Sequence, residues 1–182
     1  MRVFQFAEQI AREEPFYILN PDALKEHQPI IRAAAILHDT CDKKYRLESD
    51  GLVEIGEFLG PMMPANQITA TLSIIEHMSY SKVKVRGMPN LGKYQMAFNV
   101  VREADLLDAY DFDRSMIYHM QRNSKSIEDA YKNAEQLFEN RVLKHVEDGY
   151  LTTKFAISSH PVLAQNAIIR MRHWKQAVDF SP

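Results

Sequence analysis

The sequence contains a single cysteine, Cys41, among its 182 residues. One cysteine can neither form an internal disulfide nor supply the ligands of an all-thiolate structural zinc site. The presence of only one cysteine therefore favours a reducing compartment, and we expect the protein to be cytoplasmic.

Long apolar runs are also lacking. No stretch approaches the roughly eighteen consecutive apolar residues that a membrane span needs. The N-terminal segment includes Gln5, Glu8 and Gln9, so it has no continuous apolar core of the signal-peptide type. We therefore expect no association with a membrane.

The chain has little net charge, because 22 Lys and Arg residues face 24 Asp and Glu residues, which gives -2 at pH 7. Such a balance provides no overall attraction for nucleic acid or an anionic membrane. Phosphate binding would need a local basic cluster. We expect a small substrate and no polymeric nucleic acid partner, and the sequence leaves open whether the chain forms a homodimer.

Helical periodicity dominates the sequence, and we predict an all-α fold. The segment that contains Asn20-Pro21 supplies an N-cap and a proline at the first helical position, and Pro29 predicts the start of a further helix. Ser126 predicts a long helix that ends before Gly149. The segment 79–90 is predicted as a loop, because a lone strand would have no partner.

These signals fit a single domain at residues 1–182, with a core at about 1–112 and an additional C-terminal helical lobe at about 113–182.

The pair His38-Asp39 ends the apolar helical segment 30–37. An imidazole beside a carboxylate, delivered by a buried helix, presents two metal ligands together. The alternative is a polar helix terminus at which Asp39 ends the helix and His38 benefits from the helix dipole.

A second apolar helix carries Asp105 and Asp108. Its apolar neighbours suggest burial, where a metal ion would satisfy the Asp105 carboxylate. The alternative is an ion pair with Arg102 on the surface of the same helix. Asp108, one turn on, is expected to orient a ligand histidine instead of binding metal itself.

Three segments, 33–45, 74–82 and 103–109, together resemble the HD-domain metal-dependent phosphohydrolases, a family named for a His…His-Asp…Asp ligand set. The first reads AAAILHDTCDKKY and resembles the branch whose His-Asp pair is followed by an acidic residue and a lysine. The others, IIEHMSYSK and EADLLDA, are similar to the middle and final motifs of that branch. The resemblance extends over nearly the whole chain and implies an HD-type helical bundle.

The resemblance implies that His38, Asp39 and Asp105 hold one divalent ion, such as Mn²⁺, Fe²⁺, Ni²⁺ or Mg²⁺. It also implies that Asp42 is the general acid or base beside the attacking water. As an alternative, Asp42 is a solvated turn residue. The implied reaction is phosphate or pyrophosphate release from a small phosphorylated molecule, with nucleotides as the leading candidates.

Basic residues follow both the first and the middle motif. Lys43, Lys44 and Lys82 are the expected contacts to phosphate oxygens, and the alternative is an ordinary solvated face. His77 is expected to line the substrate pocket or to serve as a satisfied structural group.

One departure from the family concerns its first ligand histidine, whose matching position falls upstream of Met1. We therefore expect either a further ligand from preceding sequence or an impaired metal site. The corresponding alternative function is a catalytically impaired HD-fold module that binds a nucleotide or a protein.

Overall fold

The computed structural model describes residues 2–41, 48–122 and 124–179. Within these ranges the chain forms ten α-helices and three short 3-10 helices and has no β-strand, which confirms the all-α prediction. In the same ranges, no helix combines the length and apolarity required to cross a bilayer.

The chain divides into two compact units. Unit 1 comprises Met1–Asp105 and Thr153–Phe155, and unit 2 comprises Leu106–Thr152 and Ala156–Pro182. The single-domain organisation stays a prediction.

Unit 1 contains seven α-helices of the described chain, the last of which continues into unit 2. They are α1 (Arg2–Glu13), α2 (Pro15–Leu19), α3 (Pro21–Leu37), α4 (Glu48–Leu59), α5 (Ala65–His77), α6 (Tyr80–Arg86) and α7 (Gln95–Asp108). A 3-10 helix at His38–Cys41 directly follows α3, and a second one at Gly92–Tyr94 directly precedes α7. The α3 helix packs against α1 and α5, and α4 packs against α5.

The α3 helix continues through Pro29, where the sequence predicted a new helix. A proline inside a helix removes one hydrogen bond and costs about 3 kcal/mol. Ile30, Ile31 and Ala34 beyond the proline are fully buried, as is His27 before it. Burial of this continuous stripe offsets the cost, since each large apolar side chain contributes roughly 1.5 to 3 kcal/mol.

The beginnings of α3, α5 and α7 meet at Glu26. Its backbone carbonyl accepts a hydrogen bond from Gln67 Nε2 at 3.3 Å, and its Oε1 accepts one from the Tyr94 hydroxyl at 3.1 Å. The α3 helix also packs against α5.

The segment predicted as a loop contains the short helix α6. Ser79, with extended backbone angles, precedes it, and the buried side chain of Val83 anchors it. Gly87 ends it with φ of 78°, a conformation that favours glycine.

Unit 2 contains three α-helices of the described chain besides the end of α7. They are α8 (Phe112–Arg122), α9 (Ile127–Asn140) and α10 (Lys154–Asp179), of which the first two residues of α10 belong to unit 1. The α8 and α9 helices pack together, and Phe112 contacts Phe138 edge to face with ring centroids 5.0 Å apart.

The α9 helix begins as predicted, because the Ser126 hydroxyl accepts a hydrogen bond from the Asp129 N–H. It ends at Asn140, earlier than predicted, and a 3-10 helix at Val142–Lys144 follows. Val142 is buried there, and Gly149 has φ of 72°. The apolar pattern between Asn140 and Gly149 thus belongs to a separate packed segment.

Candidate metal centre

The His38 ring is held in one orientation by the backbone. It begins the 3-10 helix after α3, and its Nδ1 lies 3.0 Å from the carbonyl oxygen of Ala35. A carbonyl only accepts, so Nδ1 carries the hydrogen and donates it. In the neutral ring, the lone pair of Nε2 is therefore the one that faces outward, which is the tautomer a metal ligand needs.

Two carboxylates face this nitrogen. Nε2 lies 3.2 Å from Asp39 Oδ1 and 3.7 Å from Asp105 Oδ1. A positive charge among the three groups would be stabilised by both carboxylates. A shared metal cation is one source of such a charge, and a proton on Nε2 is another.

The two separations from His38 Nε2 can be compared with those around a metal ion. Bonds of about 2.0 to 2.2 Å to one metal place neighbouring ligand atoms about 3 to 3.7 Å apart. The two measured separations fall at or near this range. One imidazole with two carboxylates is a donor set that borderline and hard divalent ions accept.

The three side chains differ in exposure. The His38 side chain is 11% exposed, that of Asp105 32% and that of Asp39 85%. His38 and Asp105 are thus the partly buried members of this cluster, and Asp39 faces solvent. Among the described residues, no group of three or more His, Cys, Asp or Glu side chains is arranged to hold a metal ion by itself. His38 therefore lies close to both carboxylates, but the three side chains do not form a complete set of metal ligands.

Three predicted site residues, Asp42, Lys43 and Lys44, lie outside the described residues. Their assigned roles as general acid or base and as phosphate contacts stay predictions.

His77 is the last residue of α5, which packs against α3. Its Nδ1 lies 2.8 Å from the Ser73 carbonyl, which fixes this ring in the same tautomer as His38. The side chain is 34% exposed, so Nε2 is the nitrogen available for a further contact. This geometry is compatible with both predicted roles, a pocket residue and a structural group.

Lys82, on α6, donates to the Glu76 carbonyl near the end of α5. A lysine in this place satisfies a terminal helix carbonyl and interacts favourably with the helix dipole. The same contact places the positive charge of the Lys82 ammonium group near the end of α5. The predicted contact to phosphate oxygens stays a prediction.

Asp108 is almost fully buried and accepts a hydrogen bond from the Arg114 guanidinium in unit 2. This ion pair is a structural role that the sequence did not suggest. The predicted orientation of a ligand histidine by Asp108 stays a prediction.

The sequence also gave no role to Glu103, which is fully buried. Its Oε2 accepts hydrogen bonds from the Thr153 backbone N–H at 2.9 Å and the Thr153 hydroxyl at 2.7 Å, and Arg102 lies 3.4 Å from its Oε1. These contacts fix α7 one half-turn before Asp105. The available signal was a glutamate among apolar residues, which predicts a buried polar network.

A scan against protein-family models found no match, and searches of curated proteins and of solved structures found no significant match.

Proposed function

We propose that this protein is an HD-type phosphohydrolase that depends on one divalent metal ion and acts on small phosphorylated molecules, with nucleotides as the first candidates. The observation that carries the proposal is the orientation of His38. The Ala35 carbonyl fixes the ring, and the opposite nitrogen faces the carboxylates of both Asp39 and Asp105.

The donor set fits the proposed ion. His38, Asp39 and Asp105 would hold it, and Mn²⁺, Fe²⁺, Ni²⁺ and Mg²⁺ all accept mixed nitrogen and carboxylate ligands. When bound, such an ion supplies Lewis acidity to water and to a phosphate oxygen.

The chain's own residues take complementary roles in this proposal. His38 and Asp105 provide the fixed, partly buried side of the site, while the exposed Asp39 leaves the opposite side open to substrate. Asp42 transfers the proton between the attacking water and the leaving oxygen, and Lys43 and Lys44 neutralise charge on the phosphate.

His77 and Lys82 belong to the same proposed site. The α5 helix that ends at His77 packs against α3, and Lys82 is tied to the end of α5 through the Glu76 carbonyl. In this proposal Lys82 contacts phosphate oxygens and His77 lines the substrate pocket. The proposal covers both phosphate and pyrophosphate release.

A second candidate is a binding module that keeps the fold but does not turn over substrate. It is favoured by the incomplete ligand set within the described residues. The two candidates predict different results in one assay, because a binding module retains nucleotide affinity without releasing phosphate.

The test is a hydrolysis assay with added Mn²⁺ on a panel of nucleoside mono-, di- and triphosphates. Phosphate and pyrophosphate are quantified separately. The variants are His38→Ala and, as a matched control, His119→Ala, which removes a histidine from α8 in unit 2. The proposal predicts metal-dependent release that His38→Ala abolishes and His119→Ala retains. Nucleotide binding without release of either product would support the binding module.

A further inference from the structure

Unit 1 contains a cavity of about 370 Å³ at the beginnings of α3 and α7. Glu26 and His27 line it, and they precede His38 by about three helical turns, or roughly 16 to 18 Å along α3. The cavity is therefore separate from the candidate metal centre. Its volume lies in the range of small-molecule sites.

One of the residues that line this cavity, His27, is buried and uses one ring nitrogen in a hydrogen bond. His27 is 2% exposed, and its Nδ1 lies 2.9 Å from the Tyr17 hydroxyl. Burial raises the pKa of Tyr17 far above its ordinary value, so the hydroxyl keeps its proton. A neutral hydroxyl can donate to an imidazole lone pair, and we assign Tyr17 as the donor and Nδ1 as the acceptor.

This assignment places the ring hydrogen of His27 on Nε2. Across the described ranges, the Tyr17 hydroxyl is the only hydrogen-bond partner of the His27 ring. His27 lines the cavity, and we assign Nε2 as the ring nitrogen that faces it. Burial also lowers the pKa of His27, which keeps the ring neutral. The cavity thus contains one fixed, neutral N–H donor.

An acceptor lies beside this donor. Both hydrogen bonds to the Glu26 carboxylate, from Lys93 at 2.6 Å and from Tyr94 at 3.1 Å, go to Oε1. Oε2 therefore remains to accept from a ligand. The Lys93 contact lowers the pKa of Glu26 and balances its charge, so the pair does not demand an ionic ligand.

Aromatic and amide groups complete the lining. The Phe16 ring is nearly parallel to that of His27, with 19° between their planes and 6.5 Å between their centroids. Asn99 contributes an amide whose oxygen accepts from Gln95 Nε2 at 3.4 Å, which leaves the Asn99 NH₂ as a donor. Flat aromatic faces with a few directed polar groups favour a planar ligand.

We propose that this cavity binds a neutral planar nitrogen heterocycle of the nucleobase type. The His27 Nε2–H donates to a ring acceptor, Glu26 Oε2 accepts from a ring or amino N–H, and Phe16 stacks on the ring face. The site contains no unbalanced cation, so the ligand needs no phosphate. This inference is independent of the metal centre.

The test uses adenosine, cytidine and uridine, which carry a base but no phosphate. Each nucleoside is titrated into the ¹⁵N-labelled full chain while histidine ring N–H resonances are followed by NMR. Saturable shifts of the His27 Nε2–H signal, with a Kd of about 1 mM or tighter, are expected for at least one nucleoside. The His38 and His77 ring signals should not move.

Variants separate donor loss from misfolding. His27→Phe keeps a planar ring but removes the donor, and it should weaken binding about tenfold or more. Because this change also deprives the Tyr17 hydroxyl of its acceptor, Asn99→Leu provides a second cavity variant that leaves Tyr17 untouched and should also weaken binding. His38→Ala should change the Kd less than twofold.

Three results would overturn the proposal: no saturable shift at His27 with any nucleoside, shifts at His38 or His77 instead, or unchanged affinity in folded Asn99→Leu and His27→Phe proteins.

Discussion

The His38 Nε2 atom lies 3.7 Å from the Asp105 carboxylate, although His38 follows α3 and Asp105 lies on α7. At the other end of these helices, the Tyr94 hydroxyl donates to the Glu26 carboxylate. Side chains from both helices therefore approach each other at each end. A site on such rigid elements keeps its geometry better than one on loops.

The buried contact between Glu103 and Thr153 should stabilise unit 1. Thr153→Val removes the hydroxyl that donates to Glu103 at 2.7 Å and keeps a side chain of similar shape. Since Glu103 is fully buried, we expect a loss of about 1 to 3 kcal/mol in the free energy of unfolding, measured by urea denaturation. Thr153→Ser keeps the hydroxyl and should lose less. A loss in Thr153→Ser as large as that in Thr153→Val would contradict the larger contribution expected of the hydroxyl.

The Ser126 cap gives a second stability prediction. Its side chain accepts from the Asp129 N–H at 3.2 Å at the start of α9. Ser126→Ala should lower the free energy of unfolding by about 0.5 to 2 kcal/mol, while Ser126→Asp, which can also cap, should stay close to the parent. Thermal denaturation of the three proteins at neutral pH measures this. An alanine variant as stable as the parent would show that the cap contributes nothing.

Stability should fall as the pH is lowered through the histidine range. Burial lowers the pKa of both His27 and His160, and His160 Nδ1 also lies 2.6 Å from the Tyr110 hydroxyl. Between these lowered values and the ordinary value of about 6.5, the unfolded chain binds more protons than the folded one. The midpoint temperature should thus decline as the pH falls below about 6.5 and level off below the folded pKa values.

His160→Gln should make this decline shallower, because His160 no longer titrates, whereas His27 and His119, whose pKa values are also lowered, still do. Thermal scans of the parent and the variant over the same buffers measure the difference. A midpoint temperature that rises with acidification in this range would contradict the assigned direction of the pKa shifts.

Local signals in the sequence predicted much of the helical structure. Ser126 marks the start of α9 through its own side chain, and Pro21 marks the start of α3 through its fixed φ angle. Both signals act within a few residues, so they do not depend on the rest of the fold.

Packing decided the elements that the sequence did not predict. The α6 helix has seven residues, and its Val83 and Val85 alternate as in a strand. Burial of Val83 and the bond from Lys82 to the Glu76 carbonyl are contacts with other parts of the chain. The continuation of α3 through Pro29 likewise depends on apolar partners beyond the helix.

The candidate site was likewise predictable where it depends on local sequence and not where it depends on packing. The adjacent His38 and Asp39 were evident from the sequence, and Asp105 came from a resemblance between motifs. The sequence did not reveal that Ala35 orients the imidazole, since that bond depends on where α3 ends. The partnership of Glu103 and Thr153 was also hidden, because fifty positions separate them.

Mn²⁺ binding is the measurement that tests the metal centre most directly. Isothermal titration of the metal-free chain should show one Mn²⁺ per chain, and Asp105→Asn, which keeps the shape but removes the charge, should weaken binding at least about tenfold. Asp22→Asn, a matched charge change in the first turn of α3, should bind Mn²⁺ like the parent. Absence of Mn²⁺ binding in the parent, or equal affinity in Asp105→Asn, would contradict the account and assign the His38, Asp39 and Asp105 cluster to ion pairs with an imidazolium.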